Sequence, residues 1–146
     1  MGVDLHIKLF KKEPNEMKYH PLVLYNCVNK EENIYKEVDP NMGNRNTELF
    51  DLLECDLDLK TTCYDAESFL EITSFDKELV IESGYGFRSL TLADLKLALF
   101  TVFWEEEEKA LLNTFINEIE SYLNFADPYL FYNPLSTIYI FYFFDR

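Results

Sequence analysis

The chain has 146 residues, 48% of them apolar and 16% aromatic, with a formal net charge of −14. That length suits one domain able to bury most of its apolar surface, and the apolar content excludes a disordered acidic tail. The charge is uneven: residues 1–30 carry five Lys against three acids (+2), residues 31–82 four Lys/Arg against fifteen Asp/Glu (−11), and residues 83–146 four against nine (−5). Such a field repels nucleic acid and anionic membrane, and it steers the molecule toward basic surfaces.

Val3, Leu5, Ile7 and Leu9 alternate with Asp4, His6 and Lys8, which predicts a strand over 3–10 with one buried face. A polar turn containing Pro14 and Asn15 separates it from a second strand over 21–28, and the two suit a hairpin. Residues 30–46, with Asp39-Pro40 and Gly43-Asn44, read as a loop or short helix followed by a turn. Thr47 can cap a short helix over Glu48–Glu54, and Asp56–Lys60 alternates as a short strand. The pattern over Ser68–Phe75 fits neither period cleanly. Lys77–Glu82 reads as a strand closed by a tight turn at Gly84-Tyr85-Gly86.

Behind a Ser89 or Thr91 cap, Leu92, Leu95, Leu99 and Val102 recur at helical spacing, and Leu111, Leu112, Phe115, Ile116, Ile119 and Leu123 continue it. Whether these form one helix or two depends on the acidic run Glu105–Glu108 between them. Two prolines, Pro128 and Pro134, end the helical region. Thr137–Phe144 is a strand apolar on both faces, the mark of a central strand covered on both sides. These elements predict a single α+β domain spanning residues 1–146. Its antiparallel or mixed sheet has about four to five strands, drawn from residues 3–10, 21–28, 78–83 and 137–144, with helices over 91–124 on one face.

No complete catalytic or cofactor motif is present, so no enzyme activity, cofactor or metal is expected. Cys27, Cys55 and Cys63 are odd in number and lack CxxC spacing, which fits neither a disulfide framework nor a zinc ribbon and points to a reducing, cytoplasmic setting. The amino terminus lacks the pattern of a secretory signal, and Ile138–Phe144, the longest apolar stretch, is too short to span a bilayer as a helix. Asp56 and Asp58 share a face if strand-borne, but the calcium-loop pattern fails around them. Asp58-Leu59-Lys60 matches the tail of a metal-nuclease pattern without its upstream half, leaving a metal-dependent hydrolase as a third reading. Asp4 and His6 share a strand face without a nucleophile to complete a triad. The carboxy-terminal aromatics lack the cations a base-stacking platform needs, since no Lys or Arg stands between Lys109 and Arg146.

What the sequence favours is an acidic binding protein that occupies a basic site on a protein partner. A nuclease or other nucleic-acid-handling enzyme fits that role, as for a phage anti-defence inhibitor or a toxin-immunity protein, with no direct contact to nucleic acid or membrane. The residues expected to carry it are Glu105, Glu106, Glu107 and Glu108, then Asp51, Glu54, Asp56 and Asp58. The competing expectation is an assembly subunit, a homodimer paired through its aromatic last strand.

Overall fold

The strand β7, Thr137–Asp145, organises the molecule. Its side chains alternate between Ile138, Ile140, Tyr142 and Phe144 on one face and Phe141 and Phe143 on the other, all buried, so both faces must be covered. The computed structural model of the chain describes residues 4–22, 25–29, 31–32, 34–37, 61–101, 104–126 and 137–145. Within them β7 lies at the centre of a five-stranded antiparallel sheet of order β2-β1-β7-β6-β5, where β1 is Asp4–Lys12, β2 His20–Pro21, β5 Thr62–Cys63 and β6 Gly84–Thr91. Along its whole length β7 pairs with β1, from Asp4 opposite Asp145 to Lys12 opposite Thr137, and β6 flanks it on the other side. A separate two-stranded ladder joins β3, Tyr25–Asn29, to β4, Ile34–Glu37.

One face of the sheet carries Leu5, Ile7, Leu9, Leu90 and the even-numbered residues of β7. Helices α3 (Leu92–Thr101) and α4 (Glu106–Ala126) cover it through Leu95, Leu99, Leu112, Phe115, Ile116 and Ile119, the stripe the 3.6-residue period predicts. Thr91 caps α3, its Oγ1 accepting from the amide of Asp94 at 3.0 Å. These are two helices, and Trp104 marks the break. Its ring is buried in the core and its Nε1 donates to the carbonyl of Ala98 at 2.7 Å, tying Trp104 to α3.

The α+β class and this helical layer are as the sequence predicts. The opposite face carries a second helical layer that the sequence reading did not contain. Helix α1, Ala66–Thr73, occupies the segment whose period was mixed, and helix α2, Lys77–Ser83, replaces the expected strand over 78–83. The cause in α2 is its cap. Asp76 accepts from the amides of Glu78 at 2.9 Å and Leu79 at 3.3 Å, satisfying donors that a strand would send to a neighbour. Val80 is then buried against Phe69 and Phe143 while Ile81 stays 56% exposed. Packing one residue well outweighs the β-preference of a Leu-Val-Ile run.

Gly84-Tyr85-Gly86 is accordingly no hairpin turn. Gly84 caps α2 and begins β6, its amide donating to the carbonyl of Val80, and a Cβ there would lie 2.7 Å from that oxygen. Gly86, at φ +67°, forms a bulge in which Gly86 and Phe87 together span the single β7 residue between Phe144, opposite Tyr85, and Tyr142, opposite Arg88. Two further expectations change. The segment 21–28 is divided between the main sheet and the β3–β4 ladder, and 34–37 is a strand where a loop or short helix was expected. The expected short helix over 48–54 and strand over 56–60 lie outside the described residues. No helix among the described residues is long and apolar enough to cross a membrane.

Candidate functional site

An excess of carboxylates becomes informative once those with a structural task are set aside. Asp65 and Asp76 are helix caps: Asp65 accepts from the amide of Ser68 at 2.8 Å, and that bond holds its carboxyl below the usual carboxylate range. Asp145 holds His6, whose ring stacks on Phe143 with centroids 4.8 Å apart. Glu16 pairs with His20 at 2.6 Å, and Glu120 with Lys96 at 2.5 Å, tying α4 to α3. The sequence reading placed His6 beside Asp4; the β1–β7 register instead gives it a partner 139 residues away.

The run Glu105–Glu108 also has local work. Glu105 is the N-cap of α4, and the side chain of Glu108 reaches back to accept from its amide at 3.1 Å, the reciprocal half of a capping box. Glu106 and Glu107 sit in the first turn, where the helix dipole favours negative charge. Asp51, Glu54, Asp56 and Asp58 lie outside the described residues.

Among the carboxylates left without such a task, which also include the exposed Glu31 and Glu32, four glutamates lie on the outer surface of α1 and α2. Glu67 and Glu71 stand one turn apart on α1, and Glu78 and Glu82 repeat that spacing on α2; all four are exposed. Like charges at this spacing, about 6 Å apart at Cβ, destabilise a helix. Glu67 and Glu78 are at least in first turns. Glu71 and Glu82 are in last turns, where the dipole also opposes them and neither helix supplies a basic residue. None of the ion pairs among the described residues takes any of the four. Lys77 is the single basic residue within the two helices.

A rigid aromatic bed holds this surface. Phe69 is fully buried and stacks on Phe75 with centroids 5.8 Å apart and planes 3° from parallel, while Phe143 meets both edgewise. From beneath, Lys8 of β1 donates to the carbonyl of Thr73 at 3.0 Å and lies 4.4 Å from the ring centroid of Phe75. It thereby neutralises the carboxy-terminal end of α1, where Ser74 adopts a left-handed conformation at φ 55°. The charge-bearing helices are thus fixed to the sheet.

Two acidic surfaces result, on opposite sides of the sheet: the α1–α2 glutamates on one, the α4 amino terminus on the other. Their separation follows from the alternation of β7, which sends Phe141 and Phe143 toward α1–α2 and Ile140, Tyr142 and Phe144 toward α3–α4. The α1–α2 set escaped the sequence reading because its signal, glutamates four apart, has meaning only on a helix, and Lys77–Glu82 resembled a strand. Among the described residues no three His, Cys, Asp or Glu side chains gather as metal ligands would. No protein-family model, curated protein or solved structure matches this chain.

Proposed function

We propose that this protein is a binding module that presents a fixed negative surface to a basic site on a partner protein. The observation that carries the reading is the placement of Glu71 and Glu82. They are exposed and each is one turn from another glutamate; Glu82 is also at a helix end that disfavours negative charge, whereas Lys8 offsets that end in α1, so like-charge repulsion is the penalty the two share. Opposite charge on a partner would reverse that penalty. Glu67 and Glu78 extend the surface, and the aromatic bed beneath holds the charges in position before the partner arrives, which favours fast, salt-sensitive association. Pairing of two copies through the aromatic last strand has less support, because β1 and β6 occupy both sides of β7.

Binding to immobilised poly-lysine across a salt series tests the reading. Two variants of equal net charge are compared, Glu71, Glu78 and Glu82→Lys against Glu105, Glu106 and Glu107→Lys. The first is expected to abolish binding and the second to leave most of it. Equal losses would mean that net charge alone acts and would overturn the assignment. Addition of duplex DNA to a complex with a native partner then reads whether the partner's basic site is one that holds nucleic acid.

A further inference from the structure

The α3–α4 layer presents a surface of different chemistry. Phe100 is 82% exposed and Leu97, one turn earlier on α3, is 51% exposed, so the helix leaves in water apolar surface whose burial is favourable. Beside them runs a shallow groove of about 390 Å³ between α3 and α4, lined by Leu99, Phe100, Glu106, Lys109, Ala110 and Asn113. Within the lining Glu106 and Lys109 offset each other, and the exposed Glu105 and Glu107 at the amino terminus of α4 leave that end of the groove with net negative charge.

We infer that this groove is a docking site for an amphipathic, basic segment of a partner protein. An apolar side chain of that segment would pack on Phe100 and Leu97, and its Lys or Arg residues would lie along Glu105–Glu107. The arrangement is that of a helix seated in a groove, in which apolar anchors supply affinity and flanking charges set orientation. Trp104, buried and hydrogen-bonded to Ala98 next to Leu99, ties the start of α4 to α3 beside the groove. The site lies across the sheet from Glu71 and Glu82 and does not depend on the function proposed for them. It also gives the acidic run a second use: carboxylates that stabilise the start of α4 double as the rim of the groove.

The test uses the full chain and a fluorescent amphipathic helical peptide of leucine and lysine, followed by anisotropy. Binding is expected, weakened roughly 10- to 100-fold by Phe100→Ser, as the loss of one buried aromatic anchor requires. Glu106→Lys with Glu107→Lys should also weaken it, while Glu71→Lys with Glu82→Lys, which removes only the charge contact of the basic peptide with the α1–α2 surface, should leave the fold-change caused by Phe100→Ser unaltered. Because Phe100 projects into solvent, its replacement is expected to leave the thermal melt unaltered, and that measurement accompanies each variant. Equal affinity of wild type and Phe100→Ser would overturn the proposal. So would sedimentation showing that the chain alone forms a dimer abolished by Phe100→Ser, since the occupant would then be a second copy.

Discussion

Replacing Glu71 and Glu82 with lysine should stabilise the fold while abolishing binding to a basic partner. Each glutamate now repels the one four residues before it, and each substitution turns that repulsion into the favoured order, Glu preceding Lys at one turn. Removing a penalty of about 0.2–0.5 kcal/mol and gaining a similar attraction changes each pair by about 0.4–1 kcal/mol. Lysine in the last turn of α2 also complements the helix dipole, which adds about 0.3–1 kcal/mol at low ionic strength, a gain that Lys8 already supplies in α1. The two sites lie on separate helices, so their effects should add to about 1–3 kcal/mol. For a domain of this size that raises Tm by roughly 5 °C in low salt, with the gain shrinking as salt screens exposed charge. Thermal melts at low and high ionic strength measure it, with Glu71→Gln and Glu82→Gln expected to give about half the effect. A neutral or destabilising outcome would refute the reasoning, because it would mean that these carboxylates already contribute to the fold of the free protein.

Other perturbations probe the scaffold. Gly86→Ala should cost about 1–3 kcal/mol by chemical denaturation, since alanine at φ +67° is strained and its Cβ would meet Phe144 Cδ2 at 3.0 Å. Phe69→Ala should cost about 3–5 kcal/mol by opening a cavity under α1, and should weaken binding through the α1–α2 surface more than binding through the α3–α4 groove. Burial pushes the Tyr142 hydroxyl up to about 12, against the counter-pull of neighbouring Arg88. Because the unfolded chain ionises first, near pH 10, that contribution is complete below pH 10 and is lost as pH rises toward 12, about 3 kcal/mol in all. Tyr142→Phe should flatten the alkaline limb of a stability-against-pH curve, and an unchanged limb would assign it to other tyrosines.

Both acidic surfaces are written in the sequence as charge, but only one is written as a position. Glu105–Glu108 is contiguous and draws the eye, yet contiguity reflects a local need: capping and dipole compensation at the start of α4. Glu67, Glu71, Glu78 and Glu82 are scattered among apolar residues and fall into exposed pairs one turn apart only because their segments are helical. Phe100 was hidden in a similar way. The helical period puts Leu95 and Leu99 on the buried stripe and leaves Leu97 and Phe100 off it, but only the packed helices show that no other element covers those two.

Short-range chemistry was enough to determine several parts of this protein. The two-faced apolar pattern of Thr137–Phe144 requires a central strand, the alternation over residues 3–10 gives β1, and the 3.6-residue stripe gives α3 and α4, because each depends on periodicities of a single element. Tertiary structure decided the rest. Whether Leu79-Val80-Ile81 coils or extends depends on Asp76 capping and on the space that Phe69 and Phe143 leave for Val80, and the partner of His6 depends on a register joining the two ends of the chain. Which carboxylates share a face is likewise set by the order of strands, since a sheet covered on both sides puts segments close in sequence on opposite surfaces of the molecule.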